Sequence, residues 1–325
     1  MSKKNIAILA GGDSGEYEIS IKSAAQIEGI IDREKYNAYK IHIKGSKWNL
    51  ASDENCNIDK NDFSLQIDGK KIKFDCILIV IHGTPGENGL LQSYFDLIKM
   101  PYTTCSAFTS ALTFNKFATK LFVKEYGIHT AKSLIVRRGD KINAEEIINH
   151  VGLPCFIKPN NGGSSCGTSK VKQIADVEEA VKKALHEDHE AIIEEFIAGT
   201  EITNGVYFEN GEIKALPITE VVSHKEFFDY EAKYTDGMTD EITPARISAE
   251  LEAECKKTSK HIYKALDCKG VVRIDYIINN NKLYFLEINT VPGMSKNSII
   301  PQQVRAEGLN LTDFFSNIIE NGMKG

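Results

Sequence analysis

Two short segments late in the chain carry the residue types that handle a divalent cation and developing negative charge. Val271-Val-Arg273-Ile-Asp275-Tyr-Ile-Ile278 and Lys282-Leu-Tyr-Phe-Leu-Glu287-Ile-Asn289 read as strands flanking the turn Asn279-Asn280-Asn281. Side chains two apart share a strand face, so Arg273 points with Asp275 and Glu287 with Asn289. A hairpin loop of odd length, about three or five residues, puts both pairs on one face. Two carboxylates and an amide oxygen would then converge beside one arginine, a hard-oxygen set suited to Mg²⁺ and substrate phosphates. The apolar residues between them alternate imperfectly, so the register stays open. A solvated hairpin is the plain alternative, and the Val-Val and Phe-Leu framing weakens it.

Two further segments add to this chemistry. Lys158-Pro-Asn-Asn-Gly-Gly-Ser-Ser-Cys-Gly167 follows a strand and offers glycines, backbone N–H groups and two hydroxyls, which can fold over phosphates. It lacks the G-x-x-x-x-G-K-[ST] spacing of a P-loop, and an isolated loop of this kind is more often a mobile surface loop. In Glu287-Ile-Asn-Thr-Val-Pro-Gly293-Met-Ser-Lys-Asn-Ser298, the turn at Gly293 could offer an amide to an oxyanion and Ser298 could hold a carboxylate. A Pro-Gly pair by itself marks only a turn.

These segments need elements to hold them. Asn5 to Ala10 is a continuous apolar run ending in Gly11-Gly12, the pattern of a buried parallel strand and tight turn. A helix is expected from about Ser14 to Ile31, a strand over Lys35 to Lys44, and a loop over Ser52 to Asp62. A second buried strand, Phe74 to Ile81, ends at His82-Gly-Thr-Pro-Gly86, and a helix follows over Leu90 to Met100. Alternating strand and helix predicts an α/β layer. Its strand ends would bring residues 11–16 and 82–89 to one crevice. Beyond Cys105 the pattern predicts one helix over Ser110 to Tyr126 and strands over Ala131–Arg137, Leu153–Lys158 and Ala191–Phe196. A helix near Asp176 to Leu185 completes this part. A third part would hold Glu201–Tyr207, an irregular segment from Ser223 to Thr243, and a helix over Ser248 to Leu266.

Composition limits the classes. The 325 residues suffice for two or three domains, with 39 Lys and Arg against 45 Asp and Glu, a formal charge of −6. An acidic chain without a basic run argues against nucleic-acid binding. The seven cysteines are odd in number and show no C-x-x-C pair, which reads as reduced thiols. The apolar stretch Ile6–Ala10 is too short for a signal-peptide core, and no run is long enough to span a bilayer. A cytoplasmic protein without membrane partners is expected. Gly11-Gly12-Asp-Ser-Gly15 does not make G-x-G-x-x-G, so a nicotinamide-dependent dehydrogenase is not supported.

Taken in order, six segments resemble the D-alanine–D-alanine ligases of the ATP-grasp superfamily. They are Gly11 to Ser20, His82 to Gly89, Lys158 to Gly167, Asp229-Tyr-Glu-Ala-Lys-Tyr234, Arg273-Ile-Asp275 and Glu287 to Met294. The resemblance implies three α/β domains at 1–104, 105–194 and 195–325, the first built on a parallel sheet. It also implies a homodimer, ATP as co-substrate and Mg²⁺ or Mn²⁺ as metal. ATP would phosphorylate the carboxylate of one D-alanine, and the amine of a second would displace phosphate.

By that resemblance Glu16 would hold the first D-alanine's ammonium, although it also reads as a first-turn acid favoured by the helix dipole. His82 would sit near the same substrate. Lys116 and Lys158 would bind ATP phosphates. Glu194, Glu195 and Ile197 would meet adenine, and Glu201 the ribose. Asp275, Glu287 and Asn289 would ligate the metal. Arg273 and the Gly293 amide would stabilise the tetrahedral intermediate, while Ser298 and the Ile299 amide would take the second carboxylate. Lys233 would reach the phosphoryl region, and Tyr234 would link through Ser164 to Glu16 under a closing lid. Gly162, Glu195 and Asn297 stand where many relatives carry an acid, a lysine and a histidine. A ligase using D-serine or D-lactate and a non-catalytic ATP binder are the alternatives. The Tyr230-to-Tyr234 pattern favours D-alanine, and the intact arginine and metal set opposes a mere binder.

Overall fold

The first strand, β1 (Lys4–Gly11), leads to α1 (Tyr17–Ile30), β2 (Tyr36–Lys44), β3 (Lys47–Leu50) and β4 (Asp53–Asn57). A small hairpin of β5 (Leu65–Ile67) and β6 (Lys70–Ile72) precedes β7 (Cys76–Ile79) and α2 (Leu90–Leu97). The computed structural model describes residues 2–163, 165–223 and 239–324, and no helix among them is long and apolar enough to cross a membrane. β1 runs parallel to β2 on one side and β7 on the other. Ile6 to Ala10 are fully buried, which explains a continuous apolar run where one-sided strands alternate. β3 and β4 extend this sheet beyond β2 with antiparallel pairing, so it is parallel over β2-β1-β7 and antiparallel at its other end. Residues 53–57, expected in a loop, form the edge strand; they have no buried face and therefore no apolar alternation.

β1 ends where Gly11 and Gly12 take φ of +107° and +98°. A Cβ on Gly11 would stand 2.4 Å from the Ile43 carbonyl oxygen. Only glycine makes this turn, which delivers Glu16 to the start of α1.

The second sheet follows α3 (Ala107–Phe114) and α4 (Lys116–Glu125). It comprises β8 (Ser133–Arg137), β9 (Cys155–Pro159), β10 (Ser169–Val171) and β11 (Glu190–Glu195), in the order β10-β9-β11-β8. Between them run α5 (Ala144–Val151) and α6 (Val177–Glu187), whose apolar sides build a core with Val136, Ile157 and Ile193. The single helix expected over 110–126 is two. Asn115 leaves the helical conformation, and its side chain accepts from Ala118 N to cap α4.

The third sheet has the order β14-β13-β12-β15-β16, from β12 (Thr200–Glu209), β13 (Glu212–Ser223), β14 (Thr239–Ile242), β15 (Val271–Asn279) and β16 (Lys282–Asn289). Residues 239–242 thus pair with β13 rather than staying irregular. α7 (Ala249–Ala265) covers one face through Ile262 and Tyr263. α8 (Ile299–Ala306) and α9 (Leu311–Gly322) close the chain. Phe315 and Ile319 of α9 share a core with Ile6, Ile8 and Leu78 of the first sheet. The end of the chain is therefore packed against its beginning.

The β15–β16 hairpin departs from the expected odd loop. Its turn is the two residues Asn280-Asn281, both at positive φ, a favoured twist for a two-residue connection. In a regular ladder from this turn Glu287 would oppose Ile274 and face away from Asp275. Instead Tyr276 pairs with Phe285 while Asp275 pairs with Glu287, so Leu286 is an extra, bulged residue. The bulge supplies the parity that the turn does not.

Candidate active site

The bulge places Arg273 opposite Asn289 and Asp275 opposite Glu287, and all four line a cleft of about 920 Å³. Arg273 grips Asp275 with two parallel bonds, Nε to Oδ1 and Nη2 to Oδ2, each 2.9 Å. Asn289 Nδ2 donates to Asp275 Oδ2 at 3.1 Å, and Thr203 Oγ1 donates to Oδ1. With its amide nitrogen committed to Asp275, Asn289 keeps Oδ1 as an acceptor. Among the described residues no three carboxylate, imidazole or thiol groups gather as a metal site. A cation here would therefore rest on two carboxylates and an amide oxygen, a donor set that fits Mg²⁺ when substrate oxygens complete it. Lys116 Nζ lies 3.4 Å from Glu287 Oε2 and donates to the Gly162 carbonyl at 2.7 Å. It bridges the carboxylate face and the glycine loop.

The opposite wall comes from the first sheet. Glu16, His82 and Glu87 line the cleft, and a Cβ on Gly163 would stand 2.9 Å from Glu16 Oε2. The glycine loop therefore crosses directly over Glu16. Burial lowers His82 below the ordinary histidine range, and Arg273 adds to that against the pull of Glu16 and the Val291 carbonyl. The ring is accordingly neutral near pH 7, and Nδ1 donates to Val291 O at 2.6 Å. Glu87, which no sequence signal singled out, accepts from Gly83 N at 2.7 Å and Val291 N at 3.1 Å. Burial, with Glu16 adding to it, pushes the Glu87 carboxyl up to about 7 against those two amides and Arg273. Gly293, Ser298 and Ile299 line the same cleft. Ser298 precedes α8 without capping it through its side chain; its Oγ accepts from Ser295 N at 3.0 Å.

Behind Lys116 lies a buried cluster. Glu194 is 4% exposed and takes Lys158 Nζ at 2.7 Å and the fully buried Lys120 as ion partners. Burial works against the Glu194 charge, but the two lysines prevail and hold its carboxyl down at about 2. Burial also works against Lys158, where Glu194 and Glu287 outweigh it; in Lys120 burial wins and the ammonium titrates lower than usual. The Glu194 side chain is thus turned to lysines, and Glu195 Oε1 accepts from Lys132 N at 2.9 Å. Glu201 lines the cleft, whereas Lys158, Glu194, Glu195 and Ile197 are not part of its wall. Ser164, Lys233 and Tyr234 lie outside the described residues. Glu87 and Lys120 escaped sequence reading because a loop carboxylate and a helix lysine both look solvent-facing until packing buries them.

Comparison with known proteins follows the same order along the chain. A family model described as D-ala D-ala ligase N-terminus matches residues 5–105, and one described as D-ala D-ala ligase C-terminus matches residues 122–320. The chain is 51% identical to a D-alanine–D-alanine ligase of Flavobacterium johnsoniae over 98% of both chains. It is 50% identical to one of Phocaeicola vulgatus over 98% of this chain and 99% of the other. Among solved structures, the VanG D-Ala:D-Ser ligase from Enterococcus faecalis superposes with a TM-score of 0.87 at 30% identity, covering 99% of this chain and 100% of that one. A Bacillus anthracis D-alanine–D-alanine ligase complexed with ATP gives 0.81 at 27% identity, covering 100% and 98%.

Proposed function

The chain belongs to the D-alanine–D-alanine ligase family, and on that premise we propose how its residues divide the reaction. It is an ATP-grasp enzyme that uses ATP to join two D-alanines into D-alanyl-D-alanine for peptidoglycan precursors, forming ADP. A carboxylate is a poor electrophile, so the acid is first activated. In our reading a carboxylate oxygen of the first D-alanine attacks the γ-phosphorus, the bond to the bridging oxygen breaks, and ADP departs. The amine of the second D-alanine then attacks the carbonyl carbon of the acyl phosphate, and inorganic phosphate leaves as the peptide bond forms.

Glu16 holds the first ammonium, beside His82 in the loop after β7. Lys116 and Lys158 bind phosphates; the placement of Lys116 between Glu287 and Gly162 O supports this. With the Glu194 carboxylate committed to lysines, we assign adenine to the backbone of residues 194–197 and ribose to Glu201. Asp275, Glu287 and Asn289 would hold Mg²⁺ or Mn²⁺, and such a cation would offset charge on the transferred phosphoryl group. Arg273 and the Gly293 amide stabilise the tetrahedral oxyanion, while Ser298 and the Ile299 amide orient the second carboxylate. Lys233, Tyr234 and Ser164 keep the lid and linking roles that the resemblance implies, excluding water from the acyl phosphate. We retain domains at 1–104, 105–194 and 195–325. We also place the chain in a cytoplasmic homodimer, a reading supported by seven free thiols and by exposed Leu90, Leu97 and Phe108.

One observation carries this assignment: residues from three separate segments, around 16, 273–289 and 293–299, line a single cleft. Amino-acid-dependent ADP release over D-alanine, D-serine, D-lactate and L-alanine, with product identification, tests it. ADP and D-alanyl-D-alanine are expected with D-alanine alone; no turnover with any of the four would overturn the reading.

A further inference from the structure

The turn that bears the proposed oxyanion donor is held by side chains from the opposite end of the chain. The peptide groups on both sides of Val291 are gripped: its N–H donates to Glu87 Oε1 at 3.1 Å and its carbonyl accepts from His82 Nδ1 at 2.6 Å. Three residues on, Met294 N donates to Ser23 Oγ at 3.1 Å. A carbonyl can only accept, so Nδ1 carries the His82 proton and Nε2 is left to accept from the Ser23 hydroxyl, 3.4 Å away. Val291 and Met294 have thus spent their amides, and Pro292 has none. Within residues 291–294 the Gly293 N–H is therefore the amide left without a protein acceptor among the described residues. It lines the cleft, available to a substrate oxygen.

We propose that Glu87 is a positioning residue for the ligation step, its carboxylate fixing the Val291 peptide and through it the aim of the Gly293 amide. This deepens the assignment of Gly293 above and rests on it. Glu87 is held from its own loop by Gly83 N at 2.7 Å, so it joins the loop after β7 to the turn after β16. The acidic side chain is retained in a site where burial and Glu16 both disfavour its charge. Two backbone donors compensate for that placement, and one of them belongs to the turn.

Glu87→Gln keeps the size and one acceptor but sets an NH₂ against a backbone N–H. Misaiming an oxyanion donor touches only the step in which the oxyanion forms. Dipeptide kcat should fall roughly 10- to 100-fold, with KM for ATP held within about twofold. Oxygen-isotope scrambling in labelled ATP, which reports reversible phosphoryl transfer alone, should persist in the presence of D-alanine. Ser23→Ala, which releases the other end of the turn and leaves Glu87 in place, should give the same split and keeps the test available if the first variant does not fold. Equal loss of scrambling and dipeptide, or unchanged dipeptide formation in folded enzyme, would overturn the proposal. Wild-type enzyme that forms neither would instead overturn the assignment on which it rests.

Discussion

Glu194 joins Lys120 and Lys158 around one buried carboxylate, and its ionisation ties the site to stability. Its carboxyl sits at about 2 in the fold against an ordinary 4.5. A depressed acid contributes stability above its unfolded pKa and loses it as pH falls toward the folded one. Glu194→Gln should therefore be less stable than wild type at pH 7, with the gap closing between pH 4.5 and about 2, as urea denaturation at stepped pH would show. Glu87 runs in the other sense. Raised to about 7, it favours the fold most when protonated, and that contribution declines as pH rises from 4.5 through 7. Neither shift could be read from residue type, since both follow from burial and from neighbours far away in sequence.

At the level of elements, small interruptions aim the chemistry. Asn115 breaks a would-be continuous helix, caps α4 through Ala118 N, and places Lys116 at its first position. Asn115→Ala should cost about 0.5–2 kcal/mol by loss of the cap, read as a lower Tm, and should raise KM for ATP by loosening Lys116. The Leu286 bulge does the equivalent for the hairpin, turning Glu287 and Asn289 to the face of Asp275 and Arg273. Period-two reasoning correctly grouped each pair within its strand. It assigned the wrong device for joining them, because a bulge has no residue signature and is selected by pairing across the sheet. The edge strand β4 was missed for a related reason: a strand that buries nothing shows no alternation.

Across the whole molecule, the first and third sheets share a core, and their union sets the cleft. Gly270, at φ +66°, lies so close to the Thr103 carbonyl that a Cβ would approach it to 2.0 Å, and α9 packs Phe315 and Ile319 beneath β1. Outside that core Leu97 is 83% exposed and Phe108 71%, two apolar side chains on which the proposed dimer contact would draw. Sedimentation should give about twice the monomer mass, and Leu97→Glu with Phe108→Glu should shift it to monomer. By itself, the sequence determined the α/β alternation, the glycine turn that presents Glu16, the Arg-x-Asp and Glu-x-Asn pairs, and the ordered motifs of a D-alanine–D-alanine ligase. These depend on local periodicity, backbone sterics and residue chemistry, all of which are written in neighbouring positions. Only the tertiary structure decided that Glu87 and His82 grip Val291, that Lys120 is buried against Glu194, and that a bulge completes the carboxylate face. Those outcomes depend on which distant segments exclude water together, and burial is a property of the packed chain rather than of any stretch of it.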